Sequence, residues 1–168
     1  DKLCLAEPIS LAKGRVHEVT GGSADMFAVL AASRLRGPII WIGRSREINS
    51  LSPSGLQGFI DPARMILIEC LSRREVLWAA EQSLGASCAQ CVIIEFSSGP
   101  NLRESRRLQI ASEEGGGIGL ILVSGRVQTS ACETRWHCEP SKTGQNIWDW
   151  SLTKNRKGEL GTWRVQWI

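Results

Sequence analysis

Five short segments of the chain have the length and composition of β-strands. They are Arg15–Thr20, residues 38–42 (PIIWI), Met65–Cys70 (MILIEC), Cys91–Phe96 (CVIIEF) and residues 119–123 (GLILV). Short apolar runs without a polar face are typical of central strands in a parallel sheet that is covered on both sides. We therefore predict that these segments form the centre of one sheet.

Helical patterns lie between these strands. Apolar residues recur at helical spacing directly after the first strand and its two glycines. Capping-box pairs, Ser72 with Glu75 and Asn101 with Glu104, predict the starts of two further helices. Three consecutive glycines at 115–117 end the second of these. The alternation of strand and helix predicts an α/β fold with a doubly wound, mainly parallel sheet and right-handed crossovers.

The C-terminal part of the chain follows a different pattern. Residues 147–153 and 162–168 alternate with period two, and tryptophans occupy one face of each segment. Together they predict an antiparallel hairpin, and residues 133–139 predict another strand. We expect the hairpin tryptophans to pack against the sheet rather than to stack on nucleic-acid bases, because regular alternation favours packing.

Composition adds few constraints to this picture. The 168 residues suit a single domain, and a net charge of +3 permits nucleic acid as a partner without arguing for it. The expected domain, residues 1–168, comprises an N-terminal segment (1–13), an α/β core (14–123) and C-terminal antiparallel strands (132–168). Without a membrane-spanning apolar run or a recognisable signal peptide, we expect a cytoplasmic protein with no membrane contact.

The cysteines raise the hypothesis of a zinc site. Cys88 and Cys91 are separated by two residues, Cys132 and Cys138 by five, and His137 is adjacent. Structural zinc sites favour two tight knuckles, and Cys91 opens an apolar run that should point into the sheet. We therefore predict buried thiols, no metal and a reducing compartment.

The turn after the first strand has the frame of a phosphate-binding P-loop without its chemistry. The degenerate loop contains Gly21, Gly22, Asp25, Met26, Phe27 and Ala28. Counted from Gly21, the positions of the Gly-Lys-Ser/Thr end of a P-loop hold Met26, Phe27 and Ala28. The lysine for the phosphates and the hydroxyl ligand for Mg²⁺ are missing, and Asp25 adds a negative charge. We expect no nucleotide, no other cofactor and no catalysis.

One acid remains where a P-loop enzyme would hold its metal. In CVIIEF, Glu95 directly follows the apolar run CVII, as a metal-coordinating acid would. Without the lysine and the hydroxyl ligand, we interpret it as a structural carboxylate that bonds a neighbouring amide or arginine. Neither histidine belongs to a catalytic constellation, and His17 is expected to be structural.

Two basic groups are candidates for contact with DNA or a partner protein. They are Arg103, Arg106 and Arg107 on the last predicted helix, and Lys154, Arg156 and Lys157 in the hairpin loop. The alternative for the helix is a solvated face whose arginines pair with Glu104 and Glu113. Any nucleic-acid contact through these residues should be electrostatic and modest.

The order of these pieces resembles the core of the recombinase RecA. GRVHEVTGG resembles the RecA strand and turn at the nucleotide site, and PIIWIG resembles the next strand. There Gly43, Arg44 and Ser45 follow in place of a catalytic glutamate. CVIIEF matches the strand of the metal-coordinating acid, with Glu95 in place of aspartate. GLILVS matches the strand before a DNA-binding loop, of which residues 126–131 are all that remain.

More specifically, the chain resembles the ImuA family, RecA-like proteins without ATPase motifs. The resemblance extends over nearly the whole chain, through GRVHEV, GPIIWI, LQGFIDPARMILIEC, REVLWAAEQSL, SRRLQIASEEGG, ACETRWHC and GTWRVQWI. It implies a role in SOS-induced mutagenesis and translesion synthesis. The implied partners are the ImuB-type inactive Y-family polymerase homologue, RecA and, indirectly, the error-prone polymerase ImuC. DNA contact and an oligomer remain open.

Two other functions stay open at this stage. A SulA-like cell-division inhibitor, which binds FtsZ, also resembles RecA without a working P-loop, and a generic DNA-binding module is the third alternative. The N-terminal segment has two interpretations as well. Its apolar residues Leu3, Leu5 and Ile9 are suited to docking either on a neighbouring protein or on the chain's own core.

Overall fold

The structure, a computed structural model, describes residues 1–48 and 51–167. The final residue of the predicted strand 162–168 lies outside this range. The strands are β1 (Lys2–Ala6), β2 (Ile9–Ala12), β3 (Arg15–Thr20), β4 (Ile39–Arg44), β5 (Met65–Cys70), β6 (Cys91–Phe96), β7 (Ile118–Val123), β8 (Thr134–Pro140), β9 (Ile147–Asn155) and β10 (Gly161–Gln166). The helices are α1 (Ala24–Ser33), α2 (Ser45–Ile48), α3 (Pro53–Leu56), α4 (Arg73–Gly85) and α5 (Leu102–Gly115), with a short 3₁₀ turn at Pro62–Arg64.

The predicted α/β sheet is confirmed. Within the described residues the main sheet has eight strands in the order β10-β9-β8-β3-β7-β6-β4-β5. The strands from β8 to β5 in this order are parallel to their neighbours, and β9 and β10 are antiparallel. The C-terminal strands were expected to be antiparallel as a group, but β8 lies parallel to β3. The loop of residues 124–133 carries the chain back, so β8 runs in the same direction as β7.

One expected central strand lies at the edge of the sheet. MILIEC forms β5, which pairs with β4 and has no second neighbouring strand among the described residues. Ile66 and Leu67 are therefore half exposed. The prediction of a central position is wrong for β5 because an apolar run specifies a strand but not its neighbours.

Two apolar cores cover the faces of the sheet. On one face α1 packs with the N-terminal hairpin and with the tryptophans of β8 and β9. On the other face α4 and α5 pack over β6, β7 and β3. Trp148 and Trp150 are buried, so they pack against the sheet as predicted, while Trp163 and Trp167 are only partly buried.

Both predicted helix caps are present, one of them in part. The Asn101 side chain accepts from the Glu104 N–H at 2.9 Å, and the Glu104 carboxylate accepts from the Asn101 N–H, which completes the capping box. Ser72 accepts from the Glu75 N–H at 3.2 Å, but the Glu75 carboxylate turns to another amide. Gly116 ends α5 at φ +78°, where the missing side chain avoids strain.

The N-terminal segment docks on the chain's own core. β1 and β2 form a separate two-stranded antiparallel sheet that was not predicted. Leu3, Leu5, Ile9 and Leu11 of this hairpin are buried against the α1 face. These side chains are therefore not available to a neighbouring protein, and the self-docking alternative is the correct one.

In the described part of the chain, no helix combines the length and apolar character needed to span a membrane.

Candidate functional site

The degenerate loop and Glu95 lie together at the carboxyl ends of three parallel strands. The loop joins β3 to α1, and β6 and β7 end beside it. Gly22, Asp25, Glu95 and Val123 are among the residues that line a cavity of about 250 Å³ at this point. Such an edge is where ligands bind in open α/β sheets. The structure therefore brings together the degenerate loop and Glu95, which the sequence analysis considered separately.

The backbone amides of the loop are bonded to the chain itself. The Gly22 N–H donates to Glu139 Oε1 at 3.0 Å, and the Ser23 N–H donates to the Cys138 carbonyl at 3.0 Å. The next amide, of Ala24, donates to the Gly21 carbonyl at 3.2 Å. In a P-loop, amides at these positions face phosphate oxygens. Here the end of β8 provides the acceptors for Gly22 and Ser23, and the loop itself provides the acceptor for Ala24.

Close packing of the loop on β8 explains the first glycine. Gly21 has φ +97°, and a Cβ built on it would lie 2.2 Å from the Cys138 carbonyl oxygen. A side chain there would force the loop away from β8, so this position needs glycine for its conformation and for the contact. The glycine serves this contact with β8.

Phe27 stands where a P-loop has its lysine, and it points into the core. Its ring is buried, with its centroid 4.6 Å from that of Trp150 and 5.5 Å from that of Trp136. Aromatic pairs at these separations add to the stabilisation from burial. The residue that would bind phosphate is replaced by one that anchors α1 to the C-terminal strands.

Glu139 is the residue of this site that sequence reasoning missed. His137 lies between Thr20 and Glu139, with 3.0 Å from Thr20 Oγ1 to His137 Nδ1 and 3.3 Å from His137 Nε2 to Glu139 Oε1. The histidine therefore lies between Thr20 and the carboxylate that accepts from the loop. Glu139 is 117 residues from Gly22. No local pattern relates residues so far apart, and only the pairing of β8 with β3 brings them together.

Glu95 lies against a glycine of the neighbouring strand. A Cβ built on Gly43 would be 3.3 Å from Glu95 Oε2, so the glycine leaves room for the carboxylate between β4 and β6. Within the described ranges, no three histidine, cysteine, aspartate or glutamate side chains cluster in a way that could hold a metal ion.

Most of the cysteines are buried thiols. Cys70, Cys91, Cys132 and Cys138 are buried, whereas Cys4 and Cys88 are exposed. Burial raises the pKa of Cys91 and of Cys132 to about 12, and that of Cys138 is also raised by burial. A thiol must lose its proton to bind zinc, so burial disfavours the ligand form of these residues.

His17 has a structural role, as expected. It is buried, and its Nδ1 lies 2.7 Å from Thr134 Oγ1 while its Nε2 lies 3.0 Å from the Ala12 carbonyl. Desolvation lowers the pKa of His17 to about 4, so the ring is neutral at neutral pH. With Nε2 protonated, it donates to Ala12 and accepts from Thr134, which joins the N-terminal hairpin to β8 through β3.

The arginines of α5 differ in their surroundings. Arg107 pairs with Glu81 of α4 at 2.5 Å, whereas Arg103 and Arg106 are exposed and join no ion pair among the described residues. The expected pairings with Glu104 and Glu113 are wrong, because these carboxylates pair with arginines outside the helix. Their partners are Arg73 for Glu104 and Arg15 for Glu113.

The hairpin cations lie next to the loop that follows β7. Lys154 donates to the Ser130 carbonyl at 2.7 Å, and Lys157 lies 3.9 Å from Glu133 Oε1. Arg156 is exposed. The same loop reaches α5, where the Ala131 N–H donates to Ser105 Oγ at 2.8 Å. The loop of residues 124–133 thus contacts both elements that carry the candidate cations, α5 and the β9–β10 hairpin.

Comparisons with known proteins agree with this fold. No protein-family model matches the chain. Proteins named ImuA from two strains of Caulobacter vibrioides, NA1000 / CB15N and ATCC 19089, are each 30% identical to it over 186 aligned residues, covering 91% of this chain and 75% of the relative. The crystal structure of the RadB recombinase superposes with a TM-score of 0.65 at 13% identity, covering 92% of this chain and 89% of that one. The predicted RecA-like fold is therefore confirmed.

Proposed function

The chain belongs to the ImuA family, and we propose from this premise that it is a non-catalytic accessory protein of SOS-induced translesion synthesis and mutagenesis. It acts in the cytoplasm by protein–protein contact. Its direct partner is the ImuB-type inactive Y-family polymerase homologue, RecA, or both, and its link to the error-prone polymerase ImuC is indirect. Contact with DNA is weak and secondary.

The observation that carries the non-catalytic part of the proposal is the closure of the loop by β8. The Gly22 and Ser23 amides already donate to Glu139 and to the Cys138 carbonyl. A triphosphate would have to displace a carboxylate and a carbonyl without a lysine to offset its charge. Charge-assisted hydrogen bonds contribute about 1.5–3 kcal/mol each, so the missing contacts remove most of the affinity.

The retained fold supports the protein-binding part of the proposal. The sheet, its crossovers and two apolar cores are present although the lysine and the hydroxyl residue of a P-loop are not. A fold kept without its ligand chemistry still presents a defined surface. Because fold alone does not establish function, the partners come from family membership and need a direct test.

Co-purification tests the proposal. The chain is expressed with a tagged ImuB-type homologue, with tagged RecA and with tagged FtsZ from the same source organism. We expect retention by the ImuB-type homologue or by RecA, and none by FtsZ. Retention by FtsZ alone would replace the proposal with the SulA-like alternative. Failure to bind the first two proteins would contradict it outright.

A further inference from the structure

A second cavity lies at the end of the main sheet opposite to the degenerate loop. Its volume is about 490 Å³, which is within the range of roughly 300–1,000 Å³ that small-molecule sites occupy. Residues of the β1–β2 hairpin, of the amino ends of β3 and β8 and of the β9–β10 hairpin line it. None of residues 21–28 does. The cavity is therefore distinct from the candidate site described above.

Several polar groups in the wall of this cavity bond to one another. The Trp136 indole N–H donates to Thr134 Oγ1 at 3.0 Å. The same oxygen lies 2.7 Å from His17 Nδ1, and His17 Nε2 lies 3.0 Å from the Ala12 carbonyl. These groups therefore have their hydrogen-bond partners within the chain.

Glu133 differs from these groups. Its side chain is only 8% exposed and lines the cavity. Arg15 Nε lies 3.7 Å and Lys157 Nζ 3.9 Å from its carboxylate, and both distances are longer than a hydrogen bond. No group in the described part of the chain donates a hydrogen bond to this carboxylate. Buried carboxylates normally accept hydrogen bonds, so N–H donors of a bound molecule fit this position.

Trp163 gives the cavity an aromatic wall. The residue lines the cavity and is only partly buried. A Cβ built on Gly161 would lie 2.6 Å from two atoms of the six-membered ring, so this glycine lets the indole lie close against β10. The Trp136 ring packs on it as well, with 5.8 Å between the centroids. The neighbours of Trp163 thus hold its ring in place, and a planar group of a ligand is suited to stack on it.

The charged side chains around the cavity favour a ligand with an anionic group. Lys2 is exposed and joins no ion pair among the described residues, and the side chain of Lys157 is 73% exposed. Lys13 pairs with Asp1 at 3.1 Å, so these two charges offset each other, and the exposed Glu159 offsets part of the remainder. A phosphate at this rim would gain charge-assisted hydrogen bonds from the two lysines.

We propose that this cavity binds a guanine nucleotide, with its base on Trp163 and at Glu133 and its phosphate at Lys2 and Lys157. Guanine presents two adjacent N–H donors on its Watson–Crick edge, N1–H and the N2 amino group. They match the two oxygens of a carboxylate, which can only accept. Adenine, cytosine and thymine have an acceptor beside the donor on that edge, and this acceptor would face the carboxylate.

A basic side chain of a partner protein fits the cavity less well. Glu133 already has Arg15 and Lys157 within 4 Å, and both would repel a third cation. A neutral base donates N–H bonds without adding charge. A free nucleotide and a guanine in single-stranded DNA share this chemistry. The inference goes beyond the proposed function and does not depend on which partner protein is bound.

Calorimetric titration of wild type without Mg²⁺ compares three nucleotides. We expect GMP to bind. IMP, which lacks the N2 amino group, should bind about 10-fold more weakly because it loses a hydrogen bond to a charged group. AMP should bind more weakly still. Equal affinities for GMP and AMP, or no heat of binding at millimolar GMP, would overturn the inference and leave water as the content of the cavity.

Two substitutions with matched controls test the residues. Glu133→Gln should weaken GMP binding about 10-fold or more and reduce the difference between GMP and IMP. Glu114→Gln, the same change on the exposed surface of α5 outside the cavity, should bind like wild type. Trp163→Ala should weaken binding about 5-fold or more through lost stacking, whereas Trp78→Ala, at a 63% exposed position on α4, should not. Thermal unfolding checks that each variant retains its fold.

Hydrogen exchange of wild type locates the bound nucleotide without any variant. GMP should slow the exchange of amides in residues 156–160, between β9 and β10, and leave residues 21–24 unchanged. Slower exchange at 21–24 alone would place the nucleotide at the degenerate loop and contradict the inference.

Two oligonucleotides distinguish the sources of the guanine. An oligothymidine is compared with the same strand carrying one central guanine. Tighter binding of the guanine strand that is lost in Glu133→Gln would assign the cavity to single-stranded DNA. GMP binding with equal affinity for the two strands would assign it to a free nucleotide. If neither GMP nor the guanine strand binds in the cavity, the inference fails, and the proposed function, which co-purification tests, is unaffected.

Discussion

At the scale of single residues, Glu139 fills a hydrogen-bonding position of the degenerate loop with a side chain of the protein itself. Its carboxylate accepts from the Gly22 N–H at 3.0 Å and lies 3.3 Å from His137 Nε2. The loop therefore already holds an anion, which belongs to the protein. We propose that this carboxylate disfavours nucleotide binding in addition to the missing lysine, because it would repel phosphate and already occupies an amide of the loop.

We predict that the dissociation constant for ATP with Mg²⁺ is millimolar or higher, both for the wild type and for Glu139→Ala. The substitution frees one amide, but the lysine and the metal-binding hydroxyl are still absent and the Ser23 amide still donates to Cys138. Isothermal titration calorimetry is the measurement. Glu139→Gln is the control for the loss of charge without loss of shape. A micromolar dissociation constant for wild type would falsify the non-catalytic proposal.

At the scale of elements, the sequence predicted the type and the bounds of each segment better than its position in the fold. β3, β5 and β6 have the predicted bounds, and the caps at Ser72 and Asn101 begin α4 and α5 as expected. Hydrophobic period and capping residues act over a few neighbouring positions, so the sequence shows them directly. The same local signals identified the degenerate loop.

Neighbour order and long-range contacts required the structure. Nothing in MILIEC distinguishes an edge strand from a central one, and β8 does not reveal that it lies parallel to β3. The β1–β2 hairpin was missed because its strands have only five and four residues. Glu139 was missed as part of the site for a different reason. It reaches Gly22 only because β8 pairs with β3, and the local sequence does not show this pairing.

His17 makes the attachment of the N-terminal hairpin dependent on pH. Its folded pKa is lowered to about 4, while an unfolded histidine has a pKa near 6.5. As pH falls from about 6.5 towards 4, the unfolded state gains a proton that the folded state does not bind. We therefore predict that the contribution of His17 to the free energy of unfolding is fully present above about pH 6.5. It falls by about 3 kcal/mol between pH 6.5 and 4 and levels off below pH 4.

Urea unfolding at pH 7.5, 5.5 and 4.5 measures this dependence. His17→Gln is the control, because glutamine carries no titrating proton at the same position and should flatten the curve between pH 6.5 and 4.5. The variant is also expected to be less stable than wild type at pH 7.5, because the bonds to Ala12 and Thr134 are disturbed. Equal slopes for the two proteins would assign the pH dependence to other groups.

At the scale of the whole molecule, both groups of candidate cations include exposed side chains without an ionic partner in the described part of the chain. Arg103 and Arg106 on α5 and Arg156 in the hairpin loop are exposed, and none of them joins an ion pair among the described residues. Arg107 and Lys154 are already engaged by Glu81 and by Ser130. With a net charge of only +3, we propose that any nucleic-acid contact of this surface is electrostatic and modest.

We predict that any binding of single-stranded DNA weakens steeply with salt and depends on Arg103 and Arg106. Each phosphate contact contributes a slope of about −0.7 in log affinity against log salt for a single strand. Arg103→Gln/Arg106→Gln should therefore reduce the slope by about 1.4, and Arg107→Gln should reduce it less because Arg107 is paired. Fluorescence anisotropy at several salt concentrations measures the slopes. Binding that does not respond to salt would contradict the electrostatic proposal.

The contact between Gly21 and Cys138 has a consequence for how this protein can change over time. The loop and the end of β8 fit each other so closely that a Cβ at Gly21 would lie 2.2 Å from the Cys138 carbonyl. Restoring Gly-Lys-Thr at positions 26–28 would remove the Phe27 ring from the core and still leave Glu139 on the Gly22 amide. We therefore expect that loss of the Phe27 ring alone would lower stability without a gain in affinity for a nucleotide. A working nucleotide site would need simultaneous changes in the loop, in the core and at the end of β8.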